Sequence, residues 1–143
     1  MNIDTAARLS IVATDIDDAV LARARAGSYV AGSLRELPSV LVSRGFEESD
    51  RGFRVHEPYR RGITFIRHDL RADPIPGVFD LILCRNLAFT YFAPQLQSQV
   101  LRRLTDRLRP QGWLVIGAQE RLPQTATPRL APLAAAAHIL QRV

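Results

Sequence analysis

The segment spanning residues 79–92 constrains the fold more than any other part of this chain. Residues 79–84 (F-D-L-I-L-C) form a short apolar run, as expected of a strand that is buried on both faces. Arg85 and Asn86 follow this strand directly, and an aromatic cluster ending at Phe92 comes next. Ligands of open parallel sheets bind beyond the carboxyl ends of the strands. Arg85 and Asn86 are therefore predicted to contact a ligand.

Three further apolar runs, separated by helical patterns, place this strand in a larger sheet. The predicted strands lie at residues 10–15, 63–66, 79–84 and 113–117. Helices are predicted after Asp17, near Pro38, and from Pro94 to a stop at residues 110–112. Strands that alternate with helices in this way predict an α/β fold with a mostly parallel sheet.

Two regions depart from this alternation. Residues 45–62 begin with an acidic stretch, and residues 51–56 then alternate like one strand of a small exposed hairpin. Residues 130–143 are rich in alanine and are helical by propensity. The sequence therefore predicts a hairpin-like insertion at 45–62. Propensity alone indicates a helix near the C-terminus, and the structure of residues 124–143 is left open.

Composition excludes several other classes of protein. With 143 residues, 47% of them hydrophobic, the chain can bury a core, and no apolar run reaches the ~18–20 residues of a membrane span. The first residues lack the pattern of a signal peptide, so a cytoplasmic location is expected. All 19 basic residues are arginines, spread among 14 acidic residues, so no nucleic-acid surface is predicted. The single cysteine, Cys84, rules out an internal disulfide and a cysteine-rich metal site.

Two carboxylates also follow predicted strands. Asp15 closes the first strand and Asp69 follows the second. A carboxylate at the first position can accept hydrogen bonds from both ribose hydroxyls of a nucleoside, and one at the second can accept from an adenine amino group. Either aspartate alone is better explained as a turn or helix N-cap residue than as a ligand-binding residue. Because both belong to the sheet that carries Arg85 and Asn86, a shared ligand site is favoured.

Five motifs together resemble one family. They are A-T-D-I-D at 13–17, G-x-Y at 27–29, L-R-E-L-P at 34–38, F-D-x-I-x-C-R-N at 79–86 and I-G-x-x-E at 116–120. The chain thus resembles the chemotaxis-type protein-glutamate methyltransferases from about residue 11 to 123. That family uses S-adenosylmethionine to esterify glutamate side chains of membrane chemoreceptors. The resemblance implies a class I methyltransferase sheet of Rossmann-like type, with a closing strand near residues 139–143.

The resemblance also implies a role for each strand-end residue. Asp15 would bind the ribose of S-adenosylmethionine, and Asp69 and Leu70 would flank the adenine. Arg85 and Asn86 would lie beside the methionine part and the methyl group of the cofactor. No metal site is implied.

Methyl transfer needs little from side chains beyond alignment. The sulfonium of the cofactor carries a good leaving group, so in-line positioning of the nucleophile does most of the work. A glutamate acceptor is ionised at neutral pH and needs no general base. Asn86 and Tyr91 are the predicted catalytic residues, as positioning groups, although a core aromatic fits Tyr91 equally well. Glu120, after the last predicted strand, fits either a cap or a pocket wall.

The chain departs from the family at three places. Its eight glycines never form G-x-G, whereas relatives begin with a strand and a glycine-rich turn that holds the cofactor's methionine carboxylate. That strand is the central one of the class I sheet. Residues 87–92 carry one residue more before Tyr-Phe, and residues 45–62 are short where relatives carry a receptor-contacting β-subdomain.

These departures predict that residues 1–143 form a partial methyltransferase domain. A start codon assigned too late, or a fragment of a larger protein, explains the missing strand better than a degenerate gene does. Two alternatives remain: a methyltransferase acting on another protein or a small molecule, and a non-catalytic binding module that keeps the fold. The expected partner is a protein substrate such as a chemoreceptor cytoplasmic domain, without nucleic acid or membrane insertion. The sequence does not identify the acceptor or the oligomeric state.

Overall fold

A computed structural model describes residues 9–123 and 129–143, and these form two compact units. The first unit ends at Asp69 and the second runs from Leu70 to Val143. Each unit contains helices and one parallel pair of strands. The prediction of a mixed α/β fold is therefore confirmed.

The first unit combines a parallel strand pair with a small antiparallel sheet. Its elements are β1 (Ile11–Asp15), α1 (Asp18–Ala26), β2 (Ser28–Tyr29), a 3-10 helix (Ala31–Leu34), α2 (Ser39–Gly45), β3 (Phe46–Ser49), β4 (Gly52–Val55), α3 (Glu57–Arg60) and β5 (Ile63–Arg67). β1 pairs with β5 in parallel, with Asp15 opposite Arg67. β2, β4 and β3 form a three-stranded antiparallel sheet, in which β3 and β4 are the hairpin expected within 45–62.

Helix α1 follows β1 because local signals start and stop it. The Asp17 carboxylate accepts a hydrogen bond from the Ala19 amide at 2.7 Å, which caps the helix N-terminus. Gly27 ends the helix in the left-handed conformation (φ 64°), which glycine adopts without steric cost. Leu21 is the buried side chain of this helix.

The second unit is built on one four-stranded sheet. Its elements are β6 (Phe79–Leu83), α4 (Ala88–Tyr91), α5 (Pro94–Asp106), β7 (Leu108–Val115), β8 (Leu130–Leu133) and β9 (Ala136–Arg142). The strands lie in the order β6-β7-β9-β8, with β6 parallel and β9 antiparallel to β7. Helix α5 buries Val100, Leu101 and Leu104 in a core that also contains Leu108, Leu114 and Leu140.

The long helix ends earlier than the sequence predicted. α5 stops at Asp106, and Leu108 already pairs with Phe79 as the first residue of β7. The expected stop at 110–112 is instead an irregularity within β7, where Gln111 has a positive φ of 64°. The prediction was wrong because Leu108 is apolar and fits the helical stripe as well as the buried strand face that it occupies.

The alanine-rich segment is also extended rather than helical. β9 pairs with β7, and Leu140 lies opposite Leu114, with both side chains buried. Burial beside β7 outweighs the helix propensity of alanine, which amounts to less than about 1 kcal/mol per residue. The helix indicated by alanine content does not form, and the strand that the resemblance placed near residues 139–143 is confirmed.

One face of β6 is left open to solvent. Leu81 and Leu83, which alternate with the half-buried Ile82, are 52% and 66% exposed. Within residues 9–123 and 129–143, β7 is the strand that pairs with β6, and β6 is an edge of its sheet. In those same ranges no helix has the length and apolar character needed to cross a bilayer.

Candidate functional site

The turn after β6 carries two of the predicted ligand-binding residues. The Cys84 amide still donates to the carbonyl of Val115 at 2.9 Å, so the parallel ladder continues to this point. Arg85 and Asn86 then leave the sheet, and both are exposed. Asn86 has a φ of +54°, in the left-handed region where asparagine is one of the few tolerated side chains. The turn therefore has a backbone conformation that asparagine suits better than most other residues.

The short helix α4 fixes the continuation of this turn. Ala88 is fully buried and Phe89 is 6% exposed, so this face of α4 packs in the core. Tyr91, at the last position of α4, is 75% exposed. Of the two readings for Tyr91, a core aromatic is excluded, and its ring is available to a ligand.

Glu120 lies beneath this turn and joins three segments. Its side chain is 6% exposed. Oε2 accepts hydrogen bonds from the amides of Asn86 at 2.8 Å and Gly117 at 2.6 Å. Oε1 accepts from the hydroxyl of Thr90 at 2.7 Å. The carboxylate thus connects the turn after β6, helix α4 and the turn after β7.

Electrostatics at this point favour an ionised carboxylate and a neutral thiol. Burial alone would raise the pKa of Glu120, but hydrogen bonds from Thr90, Gly117, Asn86 and Leu87 outweigh it, and the pKa lies below its usual value of 4.5. Burial raises the pKa of the Cys84 thiol to about 11; a backbone hydrogen bond at Ala88 lowers it, and the Glu120 charge raises it further. Cys84 is therefore a buried, uncharged side chain at neutral pH, unsuited to act as a nucleophile.

A groove of about 500 Å³ opens over this arrangement. It is lined by Asn86, Phe89, Thr90, Tyr91, Gln119, Glu120 and Arg121. Small-molecule sites of proteins have volumes in this range and combine apolar walls with a few polar groups. The structure therefore brings Asn86 and Tyr91, the two predicted positioning residues, to one groove.

Leu70 and Arg85 belong to the same unit but have different surroundings. Leu70 is half-buried against the core, and its carbonyl accepts a hydrogen bond from Arg103 at 3.1 Å. Arg85 is exposed at the carboxyl end of β6. Leu70 thus has a packing role in addition to any contact with a ligand.

Asp15 and Asp69 lie in the first unit, at one edge of its parallel strand pair. The amide of His68 donates to the carbonyl of Asp15 at 2.9 Å, which joins the ends of β1 and β5. Both aspartates are half-buried. The Asp15 carboxylate also accepts a hydrogen bond from the Asp17 amide at 2.9 Å, which orients it at the strand end.

The joining role of Glu120 is the feature that the sequence prediction missed. Gly117 and Glu120 form part of the I-G-x-x-E motif, so the signal was present in the sequence. Its meaning depends on β6 and β7 being parallel neighbours, because their following turns then meet at one edge of the sheet. Glu120 is 34 residues away from Asn86 in the chain, and the motif alone does not indicate that distant partner.

Together, the mixed α/β fold with its parallel strand pairs and the groove beyond the end of β6 fit an α/β protein that binds a ligand at a strand end. The family model described as "CheR methyltransferase, SAM binding domain" matches residues 1–136. The chain therefore belongs to the CheR methyltransferase family. This description indicates S-adenosylmethionine as the cofactor.

Curated relatives agree with this assignment. A chemotaxis protein methyltransferase of Listeria innocua is 37% identical over 123 residues, which are 86% of this chain and 47% of the relative. The chemotaxis protein methyltransferase of Vibrio parahaemolyticus is 36% identical over 117 residues, covering 80% of this chain and 42% of the relative. That of Escherichia coli K12 is 33% identical over 126 residues, covering 79% and 41%. The chain thus spans slightly less than half the length of these relatives.

The residues of the groove fit such a cofactor chemically. Asn86 and Gln119 offer amide donors and acceptors, while Phe89 and Tyr91 provide aromatic surface. The groove also contains the ionised Glu120, and negative charge suits a ligand with a positively charged sulfonium centre. The donor set and the charge are therefore compatible with the methionine part of S-adenosylmethionine.

Proposed function

We propose that the protein containing this chain transfers a methyl group from S-adenosylmethionine to a glutamate carboxylate of a protein substrate in chemotaxis signalling. The match of residues 1–136 to the methyltransferase family carries this proposal. When bound, the cofactor supplies a methyl group activated by a positively charged sulfur. The residues of the chain then have to bind the cofactor, orient the acceptor carboxylate and exclude water.

The proposed roles follow the strand ends. Asp15 binds the ribose hydroxyls, and Asp69 and Leu70 flank the adenine. Arg85 contacts the methionine part, and Asn86 lies beside the methyl group that is transferred. The half-buried, oriented carboxylate of Asp15 and the position of Asn86 in the groove support these roles.

Asn86 and Tyr91 are proposed to align the acceptor. Both line the groove, and Tyr91 is held by a helix whose Ala88 and Phe89 are anchored in the core. An ionised glutamate acceptor needs no proton acceptor, so two positioning groups suffice for its attack on the methyl carbon. The neutral, buried thiol of Cys84 is consistent with direct transfer without a cysteine intermediate.

The finer architecture belongs to the same proposal. We infer a class I, Rossmann-like methyltransferase sheet, in which residues 1–143 are a partial catalytic domain and 45–62 a small hairpin insertion. The central strand and its glycine-rich turn are missing from this sequence. Within the described residues β6 is an edge of its sheet, which supports this inference, because an unpaired strand edge can accept a further strand.

The proposals for the substrate and the cellular location are based on the names of the relatives. Proteins named chemotaxis protein methyltransferase cover most of this chain, which favours a chemotaxis protein as the substrate. The specific candidate is the cytoplasmic domain of a chemoreceptor, and the location is then the cytoplasm.

Transfer of labelled methyl groups tests the proposal. The full encoded protein is incubated with methyl-labelled S-adenosylmethionine and a purified chemoreceptor cytoplasmic domain. The expected product is labelled receptor whose label is released as methanol by mild alkali, because a glutamyl methyl ester hydrolyses under those conditions. A receptor with glutamine in place of the candidate glutamates is the control. Cofactor binding without alkali-labile label in the receptor would favour another acceptor or a binding module.

A further inference from the structure

The buried carboxylate of Glu120 has a role that the proposed chemistry does not require. A charged group that is 6% exposed is stable in a protein only when hydrogen bonds replace its lost hydration. Glu120 accepts such bonds from Asn86, Gly117 and Thr90, and the Leu87 backbone adds a fourth. All of these donors belong to the protein, so the carboxylate is engaged with the site's own framework.

The bond to Asn86 acts where the backbone is strained. At φ +54°, a residue other than glycine is in a conformation that normally costs free energy. The Asn86 amide points at Oε2 of Glu120 at 2.8 Å, and a hydrogen bond to an ionised acceptor is stronger than one between neutral groups. The carboxylate therefore offsets the cost of the left-handed turn that carries the Asn86 side chain.

Gly117 provides the space for this arrangement. A Cβ atom at Gly117 would overlap Oδ1 of Asn86 and would lie 2.9 Å from Oε2 of Glu120. The Asn86 side chain therefore lies directly against the α-carbon of Gly117. The same I-G-x-x-E segment thus supplies both the acceptor for the Asn86 backbone and the surface against which its side chain rests.

The bond to Thr90 extends the effect to α4. Thr90 is the residue before Tyr91, and its hydroxyl donates to Oε1 at 2.7 Å. Asn86 and Tyr91 are therefore both within one residue of a group that is fixed by Glu120. Two neighbouring side chains do not compete for the Glu120 carboxylate. Cys84 is neutral, and Arg121 donates to the backbone carbonyls of Ala118 and Glu120.

We infer that Glu120 is the positioning residue of the methyl-transfer site, holding the Asn86 turn and the Tyr91 helix in register without itself contacting the substrate. This inference rests on the proposed function. Glu120 does not act as a general base, because both of its oxygens already accept hydrogen bonds and its pKa is lowered. Removing the carboxylate is thus expected to impair the alignment of the acceptor with the methyl group more than it weakens cofactor binding.

Three variants of the full encoded protein test this role. Glu120→Ala removes every acceptor and is expected to lower kcat at least about ten-fold, with a smaller change in cofactor affinity. Glu120→Gln keeps one oxygen for the two amides, and its NH₂ group can donate to Thr90, so it is expected to recover most of the loss. Asp80→Ala removes an exposed carboxylate on β6 that pairs with Arg109 at the surface, and kcat is expected to match the parent. Equal turnover of Glu120→Ala and the parent would overturn the inference.

Amide NMR separates this inference from the proposed function. In Glu120→Ala, the amide protons of Asn86 and Gly117 are expected to move upfield and to exchange faster with solvent, even if the parent methylates no receptor. Unchanged resonances for both amides would overturn the positioning role, whatever the activity. Should Glu120→Ala not fold, Gly117→Ala keeps the carboxylate and displaces the Asn86 side chain. Its expected result is a similar loss of kcat with near-parental cofactor affinity, and parental kcat would contradict the inference.

Discussion

The strand ends of the two units are built in different ways. After β6, the ligand turn is held from below by a buried carboxylate and is followed by a helix anchored in the core. After β1, the half-buried carboxylate of Asp15 accepts a hydrogen bond from the amide of Asp17, two residues further along the chain. The side-chain support of the turn after β6 thus comes from a residue distant in sequence, whereas the Asp15 side chain is held by a contact within its own loop.

The second unit also has the more extensive hydrophobic core. The second unit buries a continuous cluster that includes Val100, Leu101 and Leu114, whereas Leu21 and Leu34 are the buried hydrophobic residues described in the first unit. On β1, Ile11 is 38% exposed. A preformed turn on a well-packed support suits alignment of a reacting group, and a locally held carboxylate suits hydrogen bonding to a cofactor.

Matched truncations in the 143-residue chain test the packing difference and have the largest expected effect. Leu114→Ala removes a fully buried side chain from β7 and is expected to lower the free energy of unfolding by about 2–5 kcal/mol. Ile11→Ala removes a similar side chain from a partly exposed position and should cost clearly less. Urea denaturation monitored for each unit by amide NMR measures both values. Equal losses would contradict the contrast.

Loss of the Asp15 carboxylate tests the cofactor role of the first unit. Hydrogen bonds to a charged group contribute roughly 1.5–3 kcal/mol, so Asp15→Ala is expected to weaken S-adenosylmethionine binding about ten- to a hundred-fold. Calorimetry on the full encoded protein measures the affinity, and the unfolding midpoint of the variant must equal that of the parent. If the variant bound S-adenosylmethionine as tightly as the parent does, Asp15 would not be part of the cofactor site.

Acid titration tests the support beneath the turn after β6 and has a smaller expected effect. The folded pKa of Glu120 is lowered, so its contribution to stability is complete above the usual value of 4.5 and is lost as pH falls through the folded value. The stability difference between the parent and Glu120→Gln should therefore shrink as the pH falls below this range. Cys84 stays neutral throughout, because burial raises the pKa of its thiol to about 11. A difference that is constant with pH would show that the charge of Glu120 contributes nothing.

Much of this architecture could be predicted because its signals are local. Apolar runs at β1, β5 and β6, the Asp17 cap and the Gly27 stop all depend on residues close in sequence. The end of α5 could not, and β9 was indicated by the family resemblance but not by local propensity, because the positions of Leu108 and Leu140 depend on partners in other strands. Burial against those partners outweighed local propensity.

The same distinction applies to the candidate site. Arg85 and Asn86 were identifiable because polar residues directly follow an apolar strand. The bond from Asn86 to Glu120 could not be identified, since it forms only when β6 and β7 lie side by side. The left-handed φ of Asn86 was equally hidden, because asparagine also occurs in many ordinary turns.

The most direct test of the central claim is the behaviour of Asn86→Ala in the full encoded protein. If Asn86 aligns the methyl group for transfer, the variant should lose turnover on a chemoreceptor cytoplasmic domain while keeping most of its affinity for S-adenosylmethionine. Such a separation marks an interaction made mainly in the transition state. Asn86→Gly is the structural control, because glycine adopts a positive φ without the steric cost that alanine has there, and its unfolding midpoint should equal that of the parent. Parental turnover, or an equal loss of affinity and turnover, would contradict a transfer site at the turn after β6.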